Sequence, residues 1–364
     1  MKIPYVKPCA GIALLGLAVL FLGQAALAET RSPYRVFILH SYEADHVCGA
    51  PQHKGVVSAL RDAGFREGEN LEIEAYHMDT KRKNNTEALI GEQAATAKRA
   101  IHRFAPDLLV TLDDNAFRTV ALPLAGTDPP IVFSGMNAQP EDYDRRRPFM
   151  ASRKAPGGNI TGVYEKLHIA DAIRVHSKLF PGASALRIFT DPSPTGLAIA
   201  RQVRAELEGE PLPWQWDLRR VETWEDYTDE ILAANRADNV GGIYPAALLL
   251  KDAAGRTRTA PEIFAWTAAH SKKPEIALNY AFTRMGLFGG AAVDFFAMGR
   301  EAGEMAARIL NGAPPGDIPI REAERYALVF NLKRAEALGV DIPSDVLMAA
   351  DEVVTADAPC GASE

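Results

Sequence analysis

Short apolar runs alternate with amphipathic stretches along most of the chain, and the repeat switches between two and 3.6 residues at each change. Residues 34–39, 107–112 and 131–133 are nearly continuous apolar runs bounded by polar turns, the pattern of strands covered on both faces. Leu71, Ile73 and Ala75 alternate with polar neighbours as a further strand. Helices are predicted near 55–63, over 115–124, and from a Thr86 cap, where Ile90, Ala94, Ala97 and Ile101 share one face. Residues 138–158 carry Pro, Arg and Gly without a period and read as a loop leading out of the first series. A second series then begins, with strands over 185–189, 240–244 and 276–278. Its helices cover 171–179, 195–207, a stretch capped by Thr223 with Asp226 three residues on, and 261–271 starting at Pro261. A glycine-rich junction, 286–292, precedes a helix over 294–310 that keeps Phe295, Met298, Ala302, Met305 and Ile309 on one side and ends at Gly312. A late strand over 326–330 and a short helix between Asn331 and Gly339 complete the pattern. Two such series predict an α/β protein of two similar lobes, each a mostly parallel sheet covered by helices.

The length of 364 residues accommodates two lobes of ordinary size, and 47% apolar against 24% charged residues allows each a normal core. A formal charge of -7 with no basic stripe argues against a nucleic-acid partner. Residues 1–28 read as an export signal: Lys2 and Lys7 precede an apolar run over 12–22, and Ala26-Leu27-Ala28 forms a small-x-small cleavage site before Glu29. The alternative, a retained membrane anchor, needs a longer apolar run. Cys9 lies before that run, where a lipid-anchored protein would need it at the cleavage point, so a soluble mature protein in the periplasm is expected. Cys48 and Cys360 remain after cleavage and either pair or stay as thiols. Residues 356–364, small and polar, read as a flexible tail.

The catalytic motifs HExxH, G-x-S-x-G, the Walker loop and G-x-G-x-x-G do not occur, so no catalytic residue and no cofactor is assigned. His40, Asp45, His46, Cys48 and His53 fall close together and leave a metal-binding protein as one alternative, although a polar loop between strand and helix explains the same residues and none is assigned to a metal.

Several segments in order resemble one family. They are Gly55-x4-Leu60-x3-Gly64-Phe65-x2-Gly68-x-Asn70, Pro130-Ile131-Val132-Phe133-Ser134 and Pro156-Gly157-Gly158-Asn159-Ile160-Thr161-Gly162-Val163. Further along come Leu179-Phe180-Pro181, then Gly299-Arg300-Glu301-Ala302 with Ile309-Leu310-x-Gly312 and Ile318-Pro319, then Asn331-Leu332-x2-Ala335-x2-Leu338-Gly339 with Ile342-Pro343. Together, over about residues 33–355, they resemble the type I periplasmic binding proteins of ABC transporters, in the branch related to tryptophan- and tyrosine-binding proteins. The resemblance implies two Rossmann-like lobes, three interlobe crossovers and a ligand cleft between the lobes. It places the crossovers near Gly162, Leu287 and Arg321, giving lobe 1 as 33–161 plus 287–320 and lobe 2 as 162–286 plus 321–355. It also implies a monomer that captures a small molecule, an amino acid or a related polar or aromatic compound, and delivers it to an ABC transporter permease in the inner membrane. A periplasmic sensor partner of a signalling receptor is the alternative use of such lobes. The loop 43–53 has no match among the tryptophan binders.

In open α/β sheets, ligands sit beyond the carboxyl ends of the strands, where helix N-termini favour anions. Strand ends therefore supply the candidates, among them Asp113 and Asn279. From lobe 1 the ligand-binding set takes Ser41, Tyr42, Asp114, Asn115, Ser134 and Asn137. Tyr164 and Glu165 follow the first crossover. Lobe 2 adds Asp191, Thr195, Tyr244 and Tyr280. Each has a plainer alternative: Ser41, Asp114 and Asn115 as caps, Asn137 and Asp191 as turn residues, Tyr164 and Glu165 as hinge packing, and the other tyrosines as covers on the sheet ends. Asp294 is expected to cap its helix. A zwitterion suits the set, its carboxylate on hydroxyls and helix N–H groups, its ammonium on Asp or Glu, and an aromatic side chain on Tyr.

Overall fold

Val36, Phe37, Ile38 and Leu39 are all fully buried, which explains why β1 (Tyr34–His40) reads as an unbroken apolar run. In the computed structural model, which describes residues 1–2, 33–246 and 249–355, β1 sits inside a six-stranded parallel sheet. Its neighbours are β2 (Leu71–His77) and β3 (Leu108–Leu112), followed outward by β4 (Ile131–Met136) and β5 (Ile160–Tyr164). Val36 and Ile38 face α1 (Gly49–Asp62), while Phe37 and Leu39 face α2 (Glu87–Phe104). After β3 the chain turns into α3 (Asp113–Ala116) and continues as a wider π turn over Phe117–Ala121. A short α4 (Pro140–Asp144) breaks the segment expected to be loop. The expected export signal and tail lie outside the described residues, apart from Met1 and Lys2.

The second lobe opens with α5 (Ile169–Leu179), β6 (Ala185–Thr190) and α6 (Pro194–Leu207). Next come β7 (Gln215–Arg220), α7 (Trp224–Asn235) and β8 (Val240–Pro245), with the parallel strand order β7-β6-β8. A small hairpin of β9 (Leu249–Lys251) and β10 (Thr257–Thr259) leads to α8 (Ala260–His270). Single bridges Ile243↔Glu275 and Asn279↔Val293 continue the layer where a full strand over 276–278 was expected. Beyond α9 (Ala281–Arg284), β11 (Gly289–Val293) begins a further three-stranded sheet.

The glycine-rich stretch thus forms a strand of the second lobe and not a crossover. Gly289 and Gly290 have φ of 117° and 116°, and a Cβ on Gly289 would lie 2.1 Å from the Val329 carbonyl oxygen. The chain returns to the first lobe only after Val293, as α10 (Phe295–Leu310), which packs closely along α1. Gly55 and Gly299 permit that approach: a Cβ on Gly299 would meet the Gln52 carbonyl oxygen at 2.1 Å, and one on Gly55 the Phe296 carbonyl oxygen at 2.2 Å.

β12 (Arg321–Glu322) then pairs with β5 in the first sheet, and β13 (Tyr326–Asn331) with β11 in the second. α11 (Leu332–Leu338), α12 (Ser344–Met348) and β14 (Glu352–Val354) finish the second lobe. By sheet membership the chain passes between the first sheet and the others at 165–168, 293–295 and 323–325, because β5, β11 and β12 each pair into the sheet that the chain then leaves.

Candidate functional site

The carboxyl ends of the first sheet hold a dense polar network. Ser41 Oγ donates to the Leu112 carbonyl at 2.7 Å and accepts from the Ala116 N–H at 2.8 Å, so Ser41 joins β1 to the start of α3. Asp114 accepts from the Asn137 N–H and Nδ2, the Ala138 N–H and the Tyr143 hydroxyl, and so tethers Asn137 and the loop after β4. Asn115 donates to Thr80 and accepts from Arg118. Ser134 donates to Gln52 Oε1 at 2.7 Å. Tyr164 packs in the core with the Arg153 guanidinium over its ring. Among the described residues these side chains are occupied within their own lobe.

Three groups differ. Asp113, next to Asp114, has φ of 66°, a left-handed conformation that Asp tolerates, and this turns its carboxylate inward. It is 2% exposed; Gln52 Nε2 reaches Oδ1 at 3.4 Å, and Oδ2 has no partner. Glu165, also 2% exposed, begins the first crossover; its N–H donates to the Met136 carbonyl and its own carbonyl accepts from Gln202 of the second lobe. Among the described residues no donor reaches its carboxylate. Tyr42 lies against the His46 ring, centroids 4.2 Å apart, with the Lys81 ammonium 4.2 Å above its own ring.

These groups sense one another. Burial lifts the Asp113 carboxyl to about 8, with Lys81 opposing and Asp114 adding to the rise. Burial, then Asp113 and Asp114, push Glu165 well above the usual carboxylate range. Burial likewise raises the Tyr42 hydroxyl and the Cys48 thiol, each reinforced by Asp113 and Glu165. Cys48 is a free thiol; Cys360 lies outside the described residues.

The second lobe meets this cluster from the far side. Among the described residues the Tyr244 hydroxyl, buried at the end of β8, has no partner and is raised by burial, by Glu206 and by Glu165 of the crossover. Thr190 Oγ1, at the end of β6, and Asn279 Nδ2 are likewise buried without partners among the described residues. Tyr280 lies near enough to Cys48 for that thiol to contribute to its rise, after burial and Asp294, and Val47 packs on the second lobe's core. Asp191 Oδ1 accepts from Ser193 and Oδ2 from the Leu249 N–H, which fixes the turn into α6 and the start of the hairpin. Thr195 is exposed on the first turn of α6. Asp294 caps α10 through the Ala297 N–H. Two surface concavities, about 490 Å³ beside Leu332–Leu347 and about 370 Å³ beside Leu71, include none of these residues.

The histidines of the loop and strands pack on each other. His40 Nε2 and His53 Nδ1 are 2.9 Å apart, and His77 lies against His40 with centroids 4.1 Å apart. Burial, reinforced by His77, His53 and His46, pushes His40 down to about 2. Among the described residues no three His, Cys, Asp or Glu side chains are grouped to hold a metal ion, so the metal-binding alternative gains no support from the loop.

Comparison with known proteins decides the family. The family model for the ABC transporter substrate binding protein matches residues 44–208 and 247–354, well over half of the chain. The chain belongs to this family. It is similar to the tyrosine-binding protein of Clostridioides difficile, 22% identical over 287 residues, which are 78% of this chain and 75% of that protein. A Streptococcus pneumoniae ABC domain solved in complex with L-Trp is 21% identical with a TM-score of 0.62, covering 89% of this chain and all of that one. A Clostridium difficile substrate-binding protein with adhesive properties, solved ligand-free and open, is 18% identical with a TM-score of 0.64 and equal coverage. The structural likenesses establish the two-lobed type I fold. Among the described residues no helix is long and apolar enough to cross a membrane.

Sequence reasoning looks for this substrate-binding protein's site at the strand ends, and several of the side chains it selects there are engaged within their own lobe. The ligand-binding set leaves out Asp113 and Asn279, which the strand ends supply as candidates, as well as Gln52 and Thr190, and it includes residues whose hydrogen bonds are used up in their own lobe. The signal that could have separated them is the run Asp113-Asp114-Asn115: an acid immediately after a fully buried strand enters the interior if its backbone turns left-handed, and the next residue then points to the loop.

Proposed function

We propose that this chain is a periplasmic solute-binding protein. It closes two lobes on a small amino acid or a related polar or aromatic compound and delivers it, as a monomer, to an ABC permease in the inner membrane; it has no catalytic role. One observation carries the reading: Asp113 Oδ2 after β3, Thr190 Oγ1 and Tyr244 OH at the ends of β6 and β8, and Asn279 Nδ2 beside β11 are buried without partners among the described residues. A buried polar group left unpaired costs about 1–3 kcal/mol, and a guest that reaches these atoms recovers part of that cost. Tyr244 offers its hydroxyl to such a guest, and Tyr42, held by His46 and Lys81, stands beside it. The three crossover segments act as the hinge, and affinity follows from how much the guest favours the closed form over the open one.

Thermal-shift titration of the purified protein against amino acids, biogenic amines, sugars and small carboxylates tests this. A specific ligand at 100 times its Kd adds about 2.7 kcal/mol of stability, so its melting temperature climbs with concentration. Tyr42→Ala weakens that response. A flat melting temperature across the whole panel overturns the reading.

A further inference from the structure

The charges around the strand-end cluster do not balance. Asp113 and Glu165 are each 2% exposed and come from different segments, one ending β3 and the other opening the first crossover. Neither is paired with a cation by hydrogen bond. The guanidinium groups nearby are already engaged: Arg118 with Glu87, Arg153 with Glu141, and Arg82 with Asp79, Glu43 and Asp45. Lys81 is the cation that senses both acids, but it is exposed and lies over the Tyr42 ring, so water screens much of its effect. Across the cleft, the half-buried Glu206 on α6 accepts from the Ala170 N–H through Oε1, has no partner for Oε2 among the described residues, and is raised by burial against the opposing effects of His168 and Lys166.

A neutral zwitterion brings one positive and one negative charge, which leaves this excess of acid uncorrected and asks the site to house a carboxylate beside Asp113 and Glu165. A guest with an ammonium group and no carboxylate corrects it. Resting on the solute-binding reading above, we propose that the cleft selects an organic cation, an amine without a compensating carboxylate, over the corresponding amino acid. The Asp113 Oδ2 position receives the ammonium, Glu165 supplies the second negative charge, and the Tyr244 hydroxyl contacts the remainder of the guest.

The same arrangement links binding to protons. Asp113 is faced by Tyr42 after β1, Lys81 after β2, Cys48 and Gln52 at the start of α1, Asp114 on α3, and Glu165. With its carboxyl lifted to about 8, Asp113 holds a proton near neutral pH in the empty cleft, and an arriving ammonium displaces it.

Isothermal titration compares pairs that differ by one carboxylate: tyramine with tyrosine, tryptamine with tryptophan, agmatine with arginine. At least one amine binds ten-fold or more tightly than its amino acid, and its heat at pH 7 varies with the ionisation enthalpy of the buffer, reporting proton release. Asp113→Asn and Glu165→Gln each weaken that amine at least ten-fold while far-ultraviolet circular dichroism stays unchanged. An amino acid that binds as tightly as its amine, or tighter, overturns this inference and leaves the solute-binding reading intact. So does tight binding by a sugar or a carboxylate alone. Failure of every compound in the panel overturns both.

Discussion

Replacing Asp113 by Asn removes a buried negative charge while keeping the shape of the side chain and a residue type that accepts φ of 66°. The wild-type carboxyl moves from 3.8 to about 8 on folding, chiefly through burial. An acid whose folded value is raised binds more protons in the folded state than in the unfolded one, so stability falls as pH rises through the window between those values. At about pH 7 the displacement from 3.8 is about three pK units, and at about 1.36 kcal/mol each this sets a ceiling on the order of 4 kcal/mol. Gln52 still finds an oxygen acceptor in Asn, so little is lost from that contact. Ligand-free Asp113→Asn is therefore more stable than wild type at pH 7 by up to that amount, and the gain shrinks to nothing near pH 4. Urea unfolding at several pH values reads both the sign and the slope. A variant that is destabilised at pH 7, or a difference that does not change with pH, refutes the picture of an uncompensated buried acid.

Other expectations follow from packing and charge. Burial holds His176 down to about 4 and His40 down to about 2, so the folded protein excludes protons that the unfolded chain takes up below about pH 6.5, and the melting temperature falls as pH drops from there toward 4; His176→Gln has a shallower acid limb. Gly299→Ala forces α10 away from the Gln52 carbonyl and costs about 1–3 kcal/mol or more by chemical denaturation. Glu275→Ala strips the two oxygens that hold Arg334 at 2.6 and 3.0 Å in a buried ion pair, leaving a guanidinium at 7% exposure without its counterion, and lowers stability by about 3–5 kcal/mol in the same assay.

Much of the scaffold is legible in the sequence because its signals are local. Thr86, Thr223, Asp294 and Asn331 cap the helices they precede, through side-chain oxygens that accept the expected N–H groups, and Gly339 ends its helix left-handed. The elements that escape are those whose reason is elsewhere in the chain. β7 is an edge strand of sequence QWDLRR, stabilised by its pairing with β6 and not by an apolar run. Gly289 and Gly290 carry turn-like composition yet lie in a strand, since what they need is room for Val329 and for the His176 ring. The site shows the same division. Strand-end position is visible in sequence, but whether a strand-end polar group is free for a guest depends on partners far along the chain, as when Tyr143 and Asn137 occupy Asp114 and leave Asp113 without them.

Charge and hinge motion belong to one mechanism in this molecule. Glu165 is both the first residue of a crossover and a member of the acidic cluster, and its carbonyl is held by Gln202 of the opposite lobe. If the lobes close as proposed above, Tyr244, which senses Glu165, approaches it and water leaves the surroundings of Asp113. In that drier setting, two neighbouring carboxylates repel more strongly than they do when the cleft is open to solvent. Closure without a guest therefore requires taking up a proton or tolerating the repulsion, whereas closure around an ammonium converts the same two charges into attraction. The acids that destabilise the empty closed form are the ones that make a cationic guest favour it. Neutralising either one should thus ease closure of the empty protein and, at the same time, reduce the advantage the guest gains from closure.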